Sequence, residues 1–122
     1  MKVKQGKAIP AMATINSIGQ KSMKSTTAYK LFRLKKALES IIEFQVEQEQ
    51  KLIDEFGGTI NQNGMVHFDD KDIGIKFTER RNELTNMECD LEIEKQDISM
   101  SEIPEISIAG IESLDEFINW IE

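Results

Sequence analysis

Few side chains in this sequence are equipped for covalent or acid–base chemistry. His67 is the only histidine and Cys89 the only cysteine. A histidine base needs a partner that holds its tautomer, and a zinc site needs several nitrogen or sulfur ligands. One histidine in a short hairpin arm supplies neither. Cys89 falls on the apolar side of an alternating segment, where a buried thiol has a raised pKa and is a poor nucleophile. A single cysteine also excludes an internal disulfide framework and fits a reducing compartment. Asp69, Asp70 and Asp72 bring three carboxylates together. Acids at a helix start serve as N-cap and dipole-matched charge, and their spacing is not that of a calcium loop. Phosphate-binding loop, G-x-S-x-G, dinucleotide and H-E-x-x-H motifs do not occur. The expectation is a non-enzymatic protein with no metal and no cofactor.

The charges carry more pattern than the nucleophiles. The net charge is −7, yet nine cations and no acid precede Glu39. The residues from Glu39 onward hold all 22 acids and six cations. From Glu88 to Glu122 there are 11 acids and one cation, Lys95. Such asymmetry reports on partners or self-complementarity rather than on fold. Glu88, Asp90, Glu92 and Glu94 alternate with Cys89, Leu91 and Ile93. Alternate residues on a strand stand roughly 6.6 Å apart, close to the spacing of successive phosphates, about 6–7 Å along one nucleic-acid strand. The row can therefore imitate a phosphate backbone, with Asp97, Glu102 and Glu105 extending it. Most alternating acidic strands, however, are simply a solvated face that protects a sheet edge. At the other end, Lys24, Lys30, Arg33, Lys35 and Lys36 form a basic patch near Tyr29 and Phe32. Apolar spacing places Phe32 toward the core, and the overall acidity argues against direct nucleic-acid binding.

The elements that position these charges follow from periodicity. One domain, 1–122, suits the length. Residues 1–24 read as an N-terminal arm and a short helix, which starts near Pro10 and stops near Gly19. Residues 25–57 read as a long helix, free of Gly and Pro from Thr27 to Phe56. Ser25 and Thr26 are its candidate N-caps. Its apolar stripe runs Leu31, Leu34, Leu38, Ile41, Ile42, Val46, Ile53, Phe56, and Gly57-Gly58 stops it. Its charges oppose the helix dipole, with cations in the first turns and Glu47, Glu49, Asp54 and Glu55 later. An anion near the basic end would relieve this. Either a separate molecule or the chain's own acidic C-terminal segment can supply it. Residues 58–94 read as a hairpin around Asn63-Gly64, a helix capped by Asp69 or Asp70, and the acidic strand. That helix presents Ile73, Phe77, Leu84 and Met87, with the Arg80 stem completing the stripe. Residues 95–122 read as an irregular segment and a C-terminal helix, opened by the capping box Ser113–Glu116. The fold class expected is α+β: one long helix, two or three shorter helices and a small antiparallel sheet.

The stretches Thr27–Leu31, Leu34–Glu39, Glu49–Gly57, Asn63-Gly64, Asn82–Leu84 and Asp90–Ile93 resemble short uncharacterised proteins of tailed phages and prophages of Gram-positive bacteria. The shared order is a long helix ending before a glycine, an NG turn, a second helix and a short acidic strand. The resemblance implies a phage setting and brings no catalytic residues. In that setting the expected function is protein binding in the host cytoplasm. The partner class is a host protein, an RNA-guided nuclease or other nucleic-acid-binding defence complex, inhibited in the manner of an anti-CRISPR through the acidic row. The alternatives are a virion or tail-assembly component that homo-oligomerises, and a nucleic-acid-binding regulator using the basic patch. No run of 18 apolar residues offers a membrane span, and Met1–Gln5 lacks the apolar region of a secretory signal.

Overall fold

The computed structural model describes residues 1–122. The chain opens with a short strand, β1 (Lys2–Lys4), and a 3₁₀ turn over Gln5–Lys7, then enters α1 (Ala8–Ile18). Pro10 lies within the first turn of α1, where its missing N–H costs nothing. The long helix α2 (Ser25–Glu55) follows. Its 31 residues span roughly 46 Å. Gly57 ends it at φ +69°, a conformation that favours glycine. A hairpin, β2 (Thr59–Ile60) with β3 (Val66–His67), leads to α3 (Lys71–Asn86). Asp70 caps α3, its carboxylate accepting from the Asp72 amide at 2.8 Å. Then come β4 (Glu88–Asp90), β5 (Gln96–Ser99), a 3₁₀ turn over Met100–Glu102, α4 (Ile108–Leu114) and β6 (Ile118–Ile121). The class is α+β, as expected.

No helix this long is covered by a single core of this size. Two hydrophobic clusters share α2 instead. The larger takes Leu31, Leu34, Leu38 and Ile41 from its first half, against Ala8, Ala11, Ile15 and Ile18 of α1 and Leu114, Phe117 and Ile118 near the C-terminus. The smaller joins Leu52 and Ile53 to Phe77 and Leu84 of α3, with Phe56, Val66 and Phe68 packed around them. Phe68 and Phe77 lie 4.9 Å apart, and Phe56 meets Phe77 edge-on at 6.4 Å. Gln5 ties the N-terminal segment to the middle of α2. It is buried, and its side-chain amide donates to the Ile41 carbonyl at 2.9 Å.

Three two-stranded ladders complete the fold, and not all are antiparallel. β1 pairs antiparallel with β4, and β2 with β3, whereas β5 and β6 are parallel. The expected C-terminal helix is thus corrected. The helix comes earlier, as α4, and Ser107 caps it, accepting from the Gly110 amide at 3.0 Å. Ser113 lies inside that helix and shares a 2.7 Å hydrogen bond with Thr14 of α1. Gly110 permits the close approach of α1, since a Cβ there would meet the Ile106 side chain at 2.8 Å and the Thr14 methyl at 3.2 Å. Beyond it, Ile118-Asn-Trp-Ile121 is poor in helix formers and rich in β-branched and aromatic side chains. Given β5 as a neighbour it extends, pairing Ile98 with Trp120. The acidic strand is also shorter than its alternating pattern, because pairing ends where β1 ends.

The closing segment is therefore integral to the main core. Phe117 is 0% exposed. Phe117→Ala is expected to cost about 3–5 kcal/mol in urea unfolding, and a loss below 1 kcal/mol would contradict the placement of this segment.

Candidate functional site

The seven carboxylates expected to form an acidic binding surface do not form one row. Glu88 and Asp90 are on β4, in register with Lys4 and Lys2 of β1. Each faces a cation across the ladder, as favourable cross-strand pairs do. The ladder stops at Asp90, so Glu92 and Glu94 leave the strand's spacing. Glu94 approaches the N-terminal ammonium at 3.5 Å. The Asp97 carboxylate accepts from Asn119 at 2.8 Å, and its backbone carbonyl accepts from the Lys30 ammonium at 2.6 Å. Glu105 pairs with Lys21 at 3.7 Å. The Glu88, Asp90 and Glu92 carboxylates take no ion pair or hydrogen bond, and all three residues are exposed. The regular phosphate-like spacing read from the alternation is corrected accordingly, because three residues of pairing cannot hold four carboxylates in line.

Glu102 is the most firmly held. Thr27 Oγ1 donates to its carboxylate at 2.6 Å and Lys24 Nζ at 3.3 Å. Neither Ser25 nor Thr26 caps α2. The N-cap is Lys24, with no side-chain cap bond. Glu102 instead brings negative charge to the first turn from 75 residues away, where the helix dipole and the basic cluster both favour it. The anion required by the basic helix start is thus present within the chain. The Thr27 hydrogen bond, then that of Lys24, holds the Glu102 carboxyl below its ordinary pKa. At the other end of α2 the signs reverse. Arg81 of α3 meets Glu49 at 3.4 Å, and Arg80 meets Glu55 at 3.9 Å.

The basic patch divides in the same way. Lys24 and Lys30 are drawn into these internal contacts, and Lys36 pairs with Glu39 at 3.5 Å. Arg33 and Lys35 take no ion pair. Phe32 is not in the core. It is 51% exposed and Tyr29 60% exposed, and their rings stack at 6.3 Å. The Lys36 ammonium lies 5.7 Å over the Phe32 ring. One edge of Phe32, with Lys35, borders a cleft of about 280 Å³ between α1 and α2. Val46 also leaves the expected stripe, at 57% exposed, and Phe44 is 42% exposed. Sequence reading missed Phe44 and Glu43, and read Glu47 only as a charge opposing the helix dipole. Helical geometry could have found them, because they lie opposite Leu34, Leu38 and Ile41 on the same helix.

His67 is exposed and reaches Asp69 at 3.4 Å. The Cys89 thiol is half-buried and donates to the Val3 carbonyl at 3.4 Å. Burial first, and then the charge of Asp90, push its pKa up. Asp70 is engaged as the cap of α3.

The Glu102 contact has a definite pH signature. Its folded pKa is depressed, so its stabilisation is complete above the unfolded carboxyl value, about 4.3, and is lost as pH falls through the lowered folded value. Glu102→Gln is expected to lower Tm at neutral pH, with the gap to wild type closing on acidification below that window. A gap that stays constant with pH in thermal melts, or no gap at all, would contradict the assignment.

No protein-family model, curated protein or solved structure matches this chain.

Proposed function

We propose that this chain is a non-enzymatic protein-binding protein of phage type, and that it makes contact through the outer face of α2. One observation carries the reading: Tyr29, Phe32 and Phe44 stand in water on a single helix face, interleaved with Arg33 and Lys36. Exposed apolar surface of this kind is costly in a monomer and marks interaction sites. Tyr, Phe and Arg are the side chains enriched where partners meet. The same face continues into Glu43 and Glu47. A phosphate backbone laid along it would meet repulsion in its second half, whereas a protein can answer both signs. The mixed charge therefore favours a protein over nucleic acid.

The acidic form of this reading has less support. An inhibitor that occupies the basic groove of a host RNA-guided nuclease needs free carboxylates at phosphate-like spacing. Glu94, Asp97, Glu102 and Glu105 are instead engaged with groups of the same chain. A virion or tail-assembly component fits the two-signed face better, because assembly contacts use polar complementarity to set register. No helix is long and apolar enough to cross a membrane.

A photo-crosslinking phenylalanine analogue at Phe44 tests this, with one at the exposed Ile75 of α3 as the control. In phage-infected host cells the Phe44 probe is expected to capture protein, this chain's own copies included, and the Ile75 probe not. Equal capture at both positions, or capture of nucleic acid, would overturn the reading.

A further inference from the structure

The exposed face of α2 is symmetric about its own centre. Tyr29, Phe32, Arg33 and Lys36 lie on one side of the midpoint, and Ser40, Glu43, Phe44 and Glu47 on the other. All eight are exposed, and their spacings run 3, 1, 3 and again 3, 1, 3 on either side of the four-residue step from Lys36 to Ser40. Residues so spaced share one helix face, here roughly 27 Å long. Reversing the helix about a two-fold axis through that step maps the first half onto the second. Phe32 then falls on Phe44, Arg33 on Glu43, Tyr29 on Glu47 and Lys36 on Ser40.

The chemistry of the polar pairs matches. Guanidinium meets carboxylate and phenol hydroxyl meets carboxylate across the seam, while Phe32 and Phe44 lie at its two opposite edges and flank it. The long Lys36 side chain meets the small Ser40, so the helices can approach at the centre. Arg33, Glu43 and Glu47 have no ion-pair partner within the chain. Other charges of α2 behave differently. Glu49 and Glu55 are taken by α3, and the helix start by Glu102. Of the α2 charges without an ion pair, which also include Lys35, Lys51 and Asp54, Arg33, Glu43 and Glu47 lie on the symmetric face, where a second, antiparallel copy would set Arg33 against Glu43. A two-fold contact needs one patch complementary to itself, and this face meets that requirement in charge and register together.

We infer that α2 pairs with α2 of a second copy, antiparallel, about a two-fold axis between Lys36 and Ser40, with Arg33 of each chain against Glu43 of the other. This rests on the α2 face being the protein-contact surface and names its occupant. Heterologous partners and nucleic acid are the competing occupants, and the charge pairing distinguishes them.

The test uses Arg33→Glu and Glu43→Arg in the full chain, followed by sedimentation velocity over a concentration series. Both side chains are exposed, so thermal melts should match wild type. Wild type is expected to run as a dimer. Each single variant places like charges opposite each other twice across the two-fold, and should weaken the dimer on the order of tenfold or more. The double variant R33E/E43R should recover it. A one-to-one mixture of the two single variants should form a heterodimer as tight as wild type, because each then faces its opposite. Structural damage would not reproduce that rescue. A wild type that stays monomeric, single variants that dimerise undiminished, or a mixture that fails to pair would each overturn the inference. If the Phe44 probe still captures another protein in the monomeric case, only the second-copy assignment falls. If it captures nothing, both readings fall.

Discussion

The structure depends on one helix that is too long for its own core and wrongly charged for its own dipole. α2 occupies 31 of 122 residues, and α1, α3, β5 and the Gln5–Lys7 turn pack directly against it. The main cluster forms on its first half and the smaller aromatic cluster on its second. The charge problem is met by the same elements. The C-terminal segment brings Glu102 to the basic start, and α3 brings Arg80 and Arg81 to the acidic end. Each such surface pair contributes little alone. Their placement matters more: they fix which face of α2 is covered and which face is left to solvent.

The segregation of charge along the sequence has a largely internal explanation. A basic front and an acidic back look like two surfaces awaiting two partners. In the folded chain they meet, through Lys24 with Glu102, Lys21 with Glu105, Lys7 with Glu116, and the N-terminus with Glu94. The ladder of β1 with β4 does the same in miniature, setting Lys2 and Lys4 against Asp90 and Glu88. Function is then sought in what this neutralisation leaves over. The remainder is a helix face with three exposed aromatic rings, one arginine without a partner and two such glutamates.

The elements that were legible in the sequence are those whose signals are local. Helical spacing and the absence of breakers define α2, Gly57 ends it, and Asp70 opens α3. The misread elements depend on neighbours distant in the chain. Leu114, Phe117, Ile118 and Ile121 fit a helical stripe as well as they fit a helix end followed by a strand, and only the presence of β5 decides between them. Apolar spacing points Phe32 toward the core, yet one helical step from Leu31 turns it into solvent. The alternation from Glu88 to Glu94 correctly signalled a strand, but its length is set by β1, 84 or more residues away in sequence. The candidate surface on α2 was only half legible. The cations were visible as a cluster, whereas Glu43, Phe44 and Glu47 take on meaning only once the covered face is known.

The central claim is that the acidic C-terminal segment serves as the internal counter-charge of the long helix. Zero-length carbodiimide crosslinking of the dilute protein, mapped by mass spectrometry, addresses it most directly. Amide links from Lys24 to Glu102 and from Lys21 to Glu105 are expected within single chains, since the charged groups lie 3.3 and 3.7 Å apart. If those links are absent, or arise only between chains, the acidic segment is not where the fold requires it, and the assignment of the free surface to α2 loses its basis.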